Sequence, residues 1–143
     1  MTTNFNADDN PCLGIGPYHV TTEGGQRCSS ADAFLRPFVG HANLSIERNA
    51  EVRLLIMSGR RVTGLEYVRK GRFERDSASR EVILSAGALG SPHLLLRSGI
   101  GPGESLQANN VPVVVDSPQV GRNLQDHLAI SHYFRSRVPT LND

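Results

Sequence analysis

The sequence predicts an α/β chain, with a mixed α+β arrangement within its 143 residues, a length that suits one domain. Two stretches, residues 51–57 and 61–69, alternate apolar and polar residues around a turn, as paired β-strands do. A compact apolar stretch, residues 81–85, leads through small residues into a leucine-rich segment, as a strand does that turns into a helix. Hydrophobic residues make up 38% of the chain and charged residues 20%, which is typical of a globular protein.

The first part of the chain is predicted to be largely irregular. Glycine and proline punctuate residues 1–27, where one short strand is predicted at residues 18–22. Ser29 and Asp32 have the spacing of residues that cap a helix start, and Pro37 is predicted to end that helix. Brief alternation predicts another short strand at residues 44–47.

A small antiparallel meander is predicted for residues 44–85. Its main hairpin joins Glu51–Met57 to Arg61–Arg69 through a turn at Ser58–Gly59–Arg60. After a second turn at Lys70–Gly71–Arg72, the chain is predicted to pair back over residues 72–76. The apolar residues 81–85 are predicted to be a buried strand that closes this region.

Caps and helix breakers predict the remaining elements. Ser91–Pro92 predicts a helix start, because serine is a good N-cap and proline is tolerated at the first helical position. Gly99 is predicted to end that helix in a left-handed conformation. A short helix is predicted at residues 104–109, and strands at 111–115 and 128–134.

The turn Ala86–Gly87–Ala88 is the strongest candidate for a binding feature. Its small residues let a ligand approach the backbone, and free N–H groups at a helix start favour a negative group such as a pyrophosphate. Close packing without any ligand explains the same residues, so both interpretations stand. The dinucleotide fingerprint GxGxxG is missing, because Gly14–Ile–Gly16 lacks its third glycine and Gly99–Ile–Gly101 follows a helix.

Several other classes of site are not indicated. The five histidines lack the spacing of metal ligands, and the adjacent pair Asp126–His127 favours a structural hydrogen bond over an acid–base pair. Cys12 and Cys28 have no CxxC spacing; a disulfide between them stays open, with two free thiols favoured. Seven of the fifteen basic residues fall within 60–80, interleaved with acidic ones, which indicates a solvated strand face and no nucleic-acid partner.

Targeting and membrane signals are not evident in the sequence. The polar, acidic residues 1–10 do not resemble a signal peptide, and no apolar run reaches the length of a membrane span. These features slightly favour the cytoplasm, although the compartment is otherwise unknown.

Residues 81–101 (EVILSAGALGSPHLLLRSGIG) resemble a signature of the glucose–methanol–choline (GMC) oxidoreductases. Gly87–Ala88, Ser91–Pro92, Leu94–Leu96 and Ser98–Gly101 all fall in register with it. Further stretches have counterparts in that family: residues 14–17, 27–35, 43–44, 60–68 and 120–127. The resemblance covers nearly the whole chain and is greatest for the choline-dehydrogenase-like and aryl-alcohol-oxidase-like branch.

The resemblance implies an FAD-dependent enzyme that oxidises an alcohol to a carbonyl by hydride transfer to the flavin. It also implies a Rossmann-like FAD domain with an antiparallel meander, together with a substrate domain built on an antiparallel sheet. Residues 1–40 would then be a substrate-domain segment with a helix. Residues 44–101 would supply the meander, strand and helix of the FAD domain, and residues 102–143 would return toward the substrate domain.

The resemblance also implies which residues contact the cofactor. The backbone of Val52 would touch the adenine, and Ser85, Ala86 and Gly87 would lie beside the adenosine–pyrophosphate half of FAD. Ala88 and Ser91 extend this set. The alternative for Val52 is a plain buried strand residue.

The chain departs from the family pattern in ways that bear on catalysis. The N-terminal strand–GxGxxG–helix is absent, as is the C-terminal part with the catalytic histidine and its His or Asn partner. His127 and His132 stand in the wrong context to replace them, so no catalytic residue is predicted here. The chain is therefore predicted to be an interior fragment, inactive alone, with exposed apolar surface.

Partners and alternatives follow from this interpretation. The predicted partners are a small-molecule alcohol and further polypeptide of the same enzyme. One alternative is an FAD-containing hydroxynitrile lyase of the same family, which performs no net redox chemistry. Another is a non-catalytic module that folds without flavin.

Overall fold

The computed structural model describes residues 20–135 and 137–138. The chain divides into two units, Met1–Glu47 and Arg48–Asp143. Cys12, the Gly14–Gly16 stretch and the beginning of the strand predicted at residues 18–22 lie outside the described residues.

The described part of the first unit contains one tight hairpin. Strand β1 (Thr22–Glu23) pairs antiparallel with β2 (Gln26–Arg27). Gly24 and Gly25 form the connecting turn, and both have positive φ, +57° and +77°. Two successive residues with positive φ are characteristic of hairpin turns that match the twist of the strands, which explains the glycine pair.

The capping prediction for the following helix is confirmed. The Ser29 N–H donates to Asp32 Oδ2 (3.0 Å), and the Asp32 N–H donates back to Ser29 Oγ (3.2 Å). The helical segment is a π-helical turn, Ala31–Leu35, followed by a 3₁₀ turn, Arg36–Phe38.

Two local predictions in this unit are wrong. Pro37 does not end the helical segment but lies inside the 3₁₀ turn. It is tolerated there because the first N–H groups of a helical turn need no helical partner. Residues 44–47 form no strand in the described structure. Four residues that alternate between apolar and polar side chains form a strand only when a neighbouring strand is available to pair with them.

The second unit begins with the predicted meander, and its hairpins are confirmed. Strands β3 (Ala50–Ser58), β4 (Arg61–Arg69) and β5 (Arg72–Ser77) form an antiparallel sheet in the order β3-β4-β5. The register of β3 against β4 shifts after Val52 and again after Ile56, which marks irregularities in β3.

Charged side chains pair across the strands of this sheet. The Arg69 guanidinium donates to both carboxylate oxygens of Glu74, at 3.1 and 2.8 Å, and the Tyr67 hydroxyl donates to Glu74 Oε2 at 3.1 Å. Arg75 donates to Glu66 through two nitrogens, at 2.9 and 2.8 Å. The basic stretch is therefore a strand face on which arginines pair with acidic neighbours, as its interleaved pattern predicts.

Tyr67 is expected to set an alkaline limit on the stability of the sheet. Burial, with the carboxylates of Asp76 and Glu74 nearby, raises its pKa from 10.0 to about 12. In the unfolded chain, tyrosine ionises with a pKa of about 10. Between about pH 10 and pH 12 the folded chain therefore keeps the Tyr67 proton, whereas the unfolded chain loses it. Stability due to Tyr67 is complete below the unfolded pKa and lost as pH rises through the folded one.

This pH dependence can be measured by urea unfolding from about pH 8 to about pH 12. The free energy of unfolding should fall more steeply above about pH 10 in the parent chain than in Tyr67→Phe, whose ring cannot ionise. Equal slopes in the two proteins would rule out this role for Tyr67.

Residues 81–85 form no strand within the described structure, contrary to prediction. Ile83 is 76% exposed, although the stretch has the composition of a buried strand. An apolar run predicts burial, but a strand also requires a neighbour for its N–H and C=O groups. No such neighbour is present among the described residues.

Helix α1 spans Gly87–Arg97 and begins five residues earlier than Ser91–Pro92 predicts. Pro92 lies inside the helix, where it forfeits one backbone hydrogen bond. The left-handed end at Gly99 is confirmed, with φ of +79° and a hydrogen bond from its N–H to Leu96 O (3.1 Å).

The segment after α1 is held by a short parallel pair and a second helix. Strand β6 (Ile100–Gly101) pairs with β7 (Val115–Asp116), and α2 (Gly103–Ala108) lies between them in sequence. The predicted short helix is confirmed, whereas the strand predicted at residues 111–115 begins only at Val115 and that at 128–134 does not form. Because β6 pairs with β7, residues on both sides of the predicted 101/102 boundary are held together.

The hydrophobic core of the described residues is small. Its buried apolar side chains are Leu55, Tyr67, Leu94 and Leu106. Many large apolar side chains are exposed instead, including Leu128 (93%), Ile130 (72%) and Phe134 (89%). The sequence predicts this exposed apolar surface. Within the same residues, no helix has both the length and the apolar character needed to cross a membrane.

Candidate cofactor site

The turn that leads into α1 is open on the side of its backbone. Ser85, Ala86, Gly87 and Ala88 are all exposed. Gly87 has φ of +81°, a conformation that favours glycine, and a Cβ built on it would meet no atom within 4 Å. Glycine is therefore required here by backbone conformation, and the space beside it is free for another molecule.

The start of α1 presents unpaired donors. No side chain caps the helix at Ala86. The N–H groups of the first turn have no acceptor within a helix, and they form the positive end of its dipole. An anion beside Gly87 and Ala88 would be stabilised by these groups.

Ser91 has a structural contact of its own. Its Oγ accepts a hydrogen bond from the Ala86 N–H at 3.0 Å. The serine thus holds the backbone of the turn from within the first turns of the helix. Of the predicted cofactor residues, Ser91 is half-buried, whereas the other four in this segment are exposed.

Val52 lies on β3 and is not the buried strand residue of the alternative interpretation. Its side chain is 37% exposed, and its Cα partner on β4 is Tyr67. The register shift that follows it interrupts the regular ladder between Val52 and Leu54. Such an irregularity leaves backbone groups available to a ligand.

The two predicted contact segments belong to elements that pack together. Helix α1 contacts β3, and each contributes one buried leucine, Leu94 and Leu55 respectively. A polar bridge reinforces this packing, since Ser98 at the end of α1 accepts a hydrogen bond from the Leu55 N–H at 2.9 Å. The predicted adenine contact and the predicted pyrophosphate turn are thus carried by one packed unit.

A groove that sequence reasoning missed lies along α1. Its volume is about 460 Å³, and its walls include Ala88, His93, Arg122 and Asn123. Arg122 and Asn123 come from a loop whose sequence resembles the family, but that resemblance alone indicated no ligand contact. His93 is exposed and lines this groove.

The remaining reactive residues form no second site in the described ranges. The His127 N–H donates to Asp126 Oδ1 at 2.8 Å, the local structural bond that was favoured over an acid–base pair. Cys28 is a free thiol, and burial together with Glu23 and Asp32 raises its pKa, which makes it a weaker nucleophile at neutral pH. No group of acidic, histidine or cysteine side chains is arranged to hold a metal ion among residues 20–135.

The Gly87 turn has features that suit the pyrophosphate of a dinucleotide cofactor. A pyrophosphate requires close backbone approach and unpaired donors, which the Gly87 turn offers. An antiparallel meander packed against the helix accompanies this turn, and the arrangement is compatible with a nucleotide-binding protein.

The chain belongs to the GMC oxidoreductase family, which residues 1–129 match. It is 45% identical over 117 residues to the mitochondrial choline dehydrogenase of Homo sapiens, covering 82% of this chain and 20% of that protein. The structure is similar to that of pyridoxine 4-oxidase from Mesorbium loti, with a TM-score of 0.69, 44% identity and coverage of 74% of this chain and 21% of the other.

A second solved structure supports the same family and its cofactor. An FAD-dependent oxidoreductase from Chaetomium thermophilum matches with a TM-score of 0.61 and 34% identity, covering 64% of this chain and 16% of that one. Family membership and this neighbour indicate FAD as the cofactor. The chain spans about a fifth of the length of the relatives it matches.

Proposed function

We propose that this chain is part of an FAD-dependent enzyme that oxidises an alcohol to a carbonyl. The observation that carries this proposal is the match of residues 1–129 to the GMC oxidoreductases, with the open Gly87 turn inside the matched region. The human relative is a choline dehydrogenase, and choline is an alcohol. A small-molecule alcohol is accordingly the proposed substrate class.

The chain's own residues would bind and orient the adenosine–pyrophosphate half of FAD. The N–H groups of Gly87 and Ala88 would face the pyrophosphate, and Ser85 and Ala86 would line the same turn. The backbone of Val52 would contact the adenine. FAD, when bound, supplies the flavin that accepts a hydride from the alcohol carbon.

Ser91 would act mainly through its bond to Ala86. By holding that N–H, it fixes the turn so that the next N–H groups are presented to the cofactor. No residue of this chain is proposed to act as catalytic base, so that group would come from further polypeptide of the same enzyme.

The need for further polypeptide is supported by the exposed apolar residues. Leu128, Ile130, Tyr133 and Phe134 are each at least 72% exposed along one segment without a strand partner in the described structure. Exposed apolar clusters of this kind mark surfaces that another chain or segment covers.

Residues 44–101 are proposed to belong to the FAD domain, and residues 1–40 and 102–143 to the substrate side.

The experiment that tests this function is a visible absorption spectrum of the purified protein, together with the intact mass of every polypeptide in the sample. Bound flavin with additional polypeptide would support the proposal, and reduction of that flavin by an alcohol, followed with a dye acceptor, would then establish the reaction. Flavin without alcohol oxidation would favour a lyase of the same family. A colourless sample with only the 15.6 kDa chain would contradict flavoenzyme function and favour a non-catalytic module.

Replacing Gly87 by alanine is expected to weaken flavin binding about tenfold or more. A Cβ in this left-handed position disfavours the conformation that opens the turn, and it projects toward the space proposed for the pyrophosphate. The measurement is an FAD titration of the deflavinated protein, followed by quenching of flavin fluorescence.

Gly59→Ala is the matched control for that variant. Gly59 also has positive φ, +57°, and open space around it, but it lies in the β3–β4 turn. The control should therefore share the backbone strain without the loss of affinity. Similar affinities for FAD in the two variants would argue against a cofactor contact at Gly87.

A further inference from the structure

Among the residues that the structure describes, Ser98 is the one polar residue that is buried. Its hydroxyl makes two hydrogen bonds. Oγ donates to Leu94 O at 2.7 Å, within the last turn of α1. It also accepts from the Leu55 N–H at 2.9 Å, a residue 43 positions earlier on β3. The hydroxyl therefore joins a helix end to a strand of the meander.

Local helix chemistry explains only the first of these bonds. Serine hydroxyls commonly donate to the carbonyl four residues earlier, and such a bond needs no other element. The bond from Leu55 is different, because β3 has β4 on one side only. Backbone N–H groups on the outer edge of β3 lack a strand partner, and Ser98 supplies one of them with an acceptor.

This bridge joins the two elements, β3 and α1, that carry the segments proposed to hold FAD. Val52 is three residues from Leu55 on β3, and α1 carries the Gly87 turn at one end and leads directly to Ser98 at the other. The buried side chains of Leu55 and Leu94 flank the bridge but are apolar, so they do not define an orientation as a hydrogen bond does. Ser98 thus fixes how β3 is placed along α1.

We propose that Ser98 is a positioning residue for FAD, which holds the adenine segment at Val52 and the pyrophosphate turn at Gly87 in the spacing that one cofactor requires. This inference rests on the proposed function. Ser98 touches no part of the cofactor itself. Its loss lowers affinity because the two segments are no longer held in the binding arrangement before FAD arrives.

The test compares FAD affinity in Ser98→Ala, Ser98→Thr and Leu106→Ala, using the protein with any polypeptide that copurifies. Ser98→Ala removes the bridge and leaves the buried Leu55 N–H without its acceptor, so the dissociation constant for FAD should rise about tenfold. Ser98→Thr keeps the hydroxyl and should restore affinity to within about threefold of the parent. Leu106 is buried on α2 at 3% exposure, so its truncation destabilises the chain without removing the bridge.

The outcomes separate this inference from the proposed function. Parent-like affinity in Ser98→Ala would overturn the positioning role and leave the proposed function intact, as would equal losses of affinity in Leu106→Ala and Ser98→Ala. A parent protein that binds no FAD would overturn both. If Ser98→Ala does not fold, Ser98→Cys replaces it, because a thiol has similar size and weaker hydrogen bonds and should give an intermediate affinity. Parent-like affinity in that variant would again overturn the inference.

Discussion

Replacing Gly99 by alanine should lower the free energy of unfolding by about 2–4 kcal/mol. Gly99 has φ of +79°, and a Cβ added there would collide with the Pro112 carbonyl and come within 2.8 Å of Val114 Cγ2. Two costs therefore combine, the left-handed conformation of a residue with a Cβ and the displacement of the 112–115 segment. That segment is held to Gly99 by hydrogen bonds from the Val114 and Val115 N–H groups to the Gly99 carbonyl, at 2.8 and 3.1 Å.

The control for Gly99 is Gly71→Ala, measured by urea unfolding under the same conditions. Gly71 has nearly the same φ, +74°, but no atom lies within 4 Å of an added Cβ. The control should show only the conformational cost, about 1 kcal/mol. If the two substitutions destabilise the chain equally, close approach of the 112–115 segment is not what requires glycine at position 99.

Leu94→Ala should lower the free energy of unfolding by about 2–4 kcal/mol, because it removes one of the few buried apolar side chains of the described residues. Leu94 is 8% exposed on α1, the helix that packs against β3. The surroundings would fill the resulting cavity only in part, so lost contacts add to the lost burial. A urea unfolding curve gives the change directly when its slope is unaltered.

Leu89→Ala offers the matched comparison on the same helix. Leu89 is 70% exposed, so its truncation should change stability by less than about 0.5 kcal/mol. Comparable losses at the two positions would show that Leu89 is covered in the assembled protein. That result would extend the proposed contact with further polypeptide to the first turn of α1.

The predictions that rest on short-range chemistry are those confirmed by the structure. The hairpin of β3 and β4, the turn at Lys70–Gly71, the Ser29–Asp32 cap and the left-handed Gly99 are each specified by residues close in sequence. Turn residues and caps act through their own φ angles or through hydrogen bonds to near neighbours. They are visible before any tertiary contact is known.

Most of the wrong predictions concern segments that require a partner distant in sequence. Residues 81–85, 44–47 and 128–134 have strand-like patterns, yet none forms a strand in the described structure. The start of α1 was also misplaced, because Ser91 bonds to Ala86 as an inner residue of the helix and does not act as its cap. An apolar or alternating pattern indicates that a segment should be buried or paired, but the strand or helix that would bury or pair it lies far away in the sequence.

The candidate site divides in the same way. The family resemblance indicated Val52 and the segment from Ser85 to Ser91, and the small residues of the Ala86–Gly87–Ala88 turn indicated a binding feature independently; these assignments remain proposals. The groove beside Arg122 and the buried Ser98 bridge were not predictable, because each joins residues far apart along the chain. The residues next to Arg122 and Ser98 in the sequence do not indicate either role.

By itself, the sequence determined the family, the FAD cofactor that family membership indicates, and the strand–turn–strand order of the meander. Those properties depend on local residue patterns and on motifs in register. Only the tertiary structure decided that Gly87 lies open, that α1 is joined to β3 through Ser98, and that the apolar segment around Leu128 lacks a partner among the described residues. These properties depend on which distant groups meet in space, because burial and hydrogen bonding are set by the whole fold.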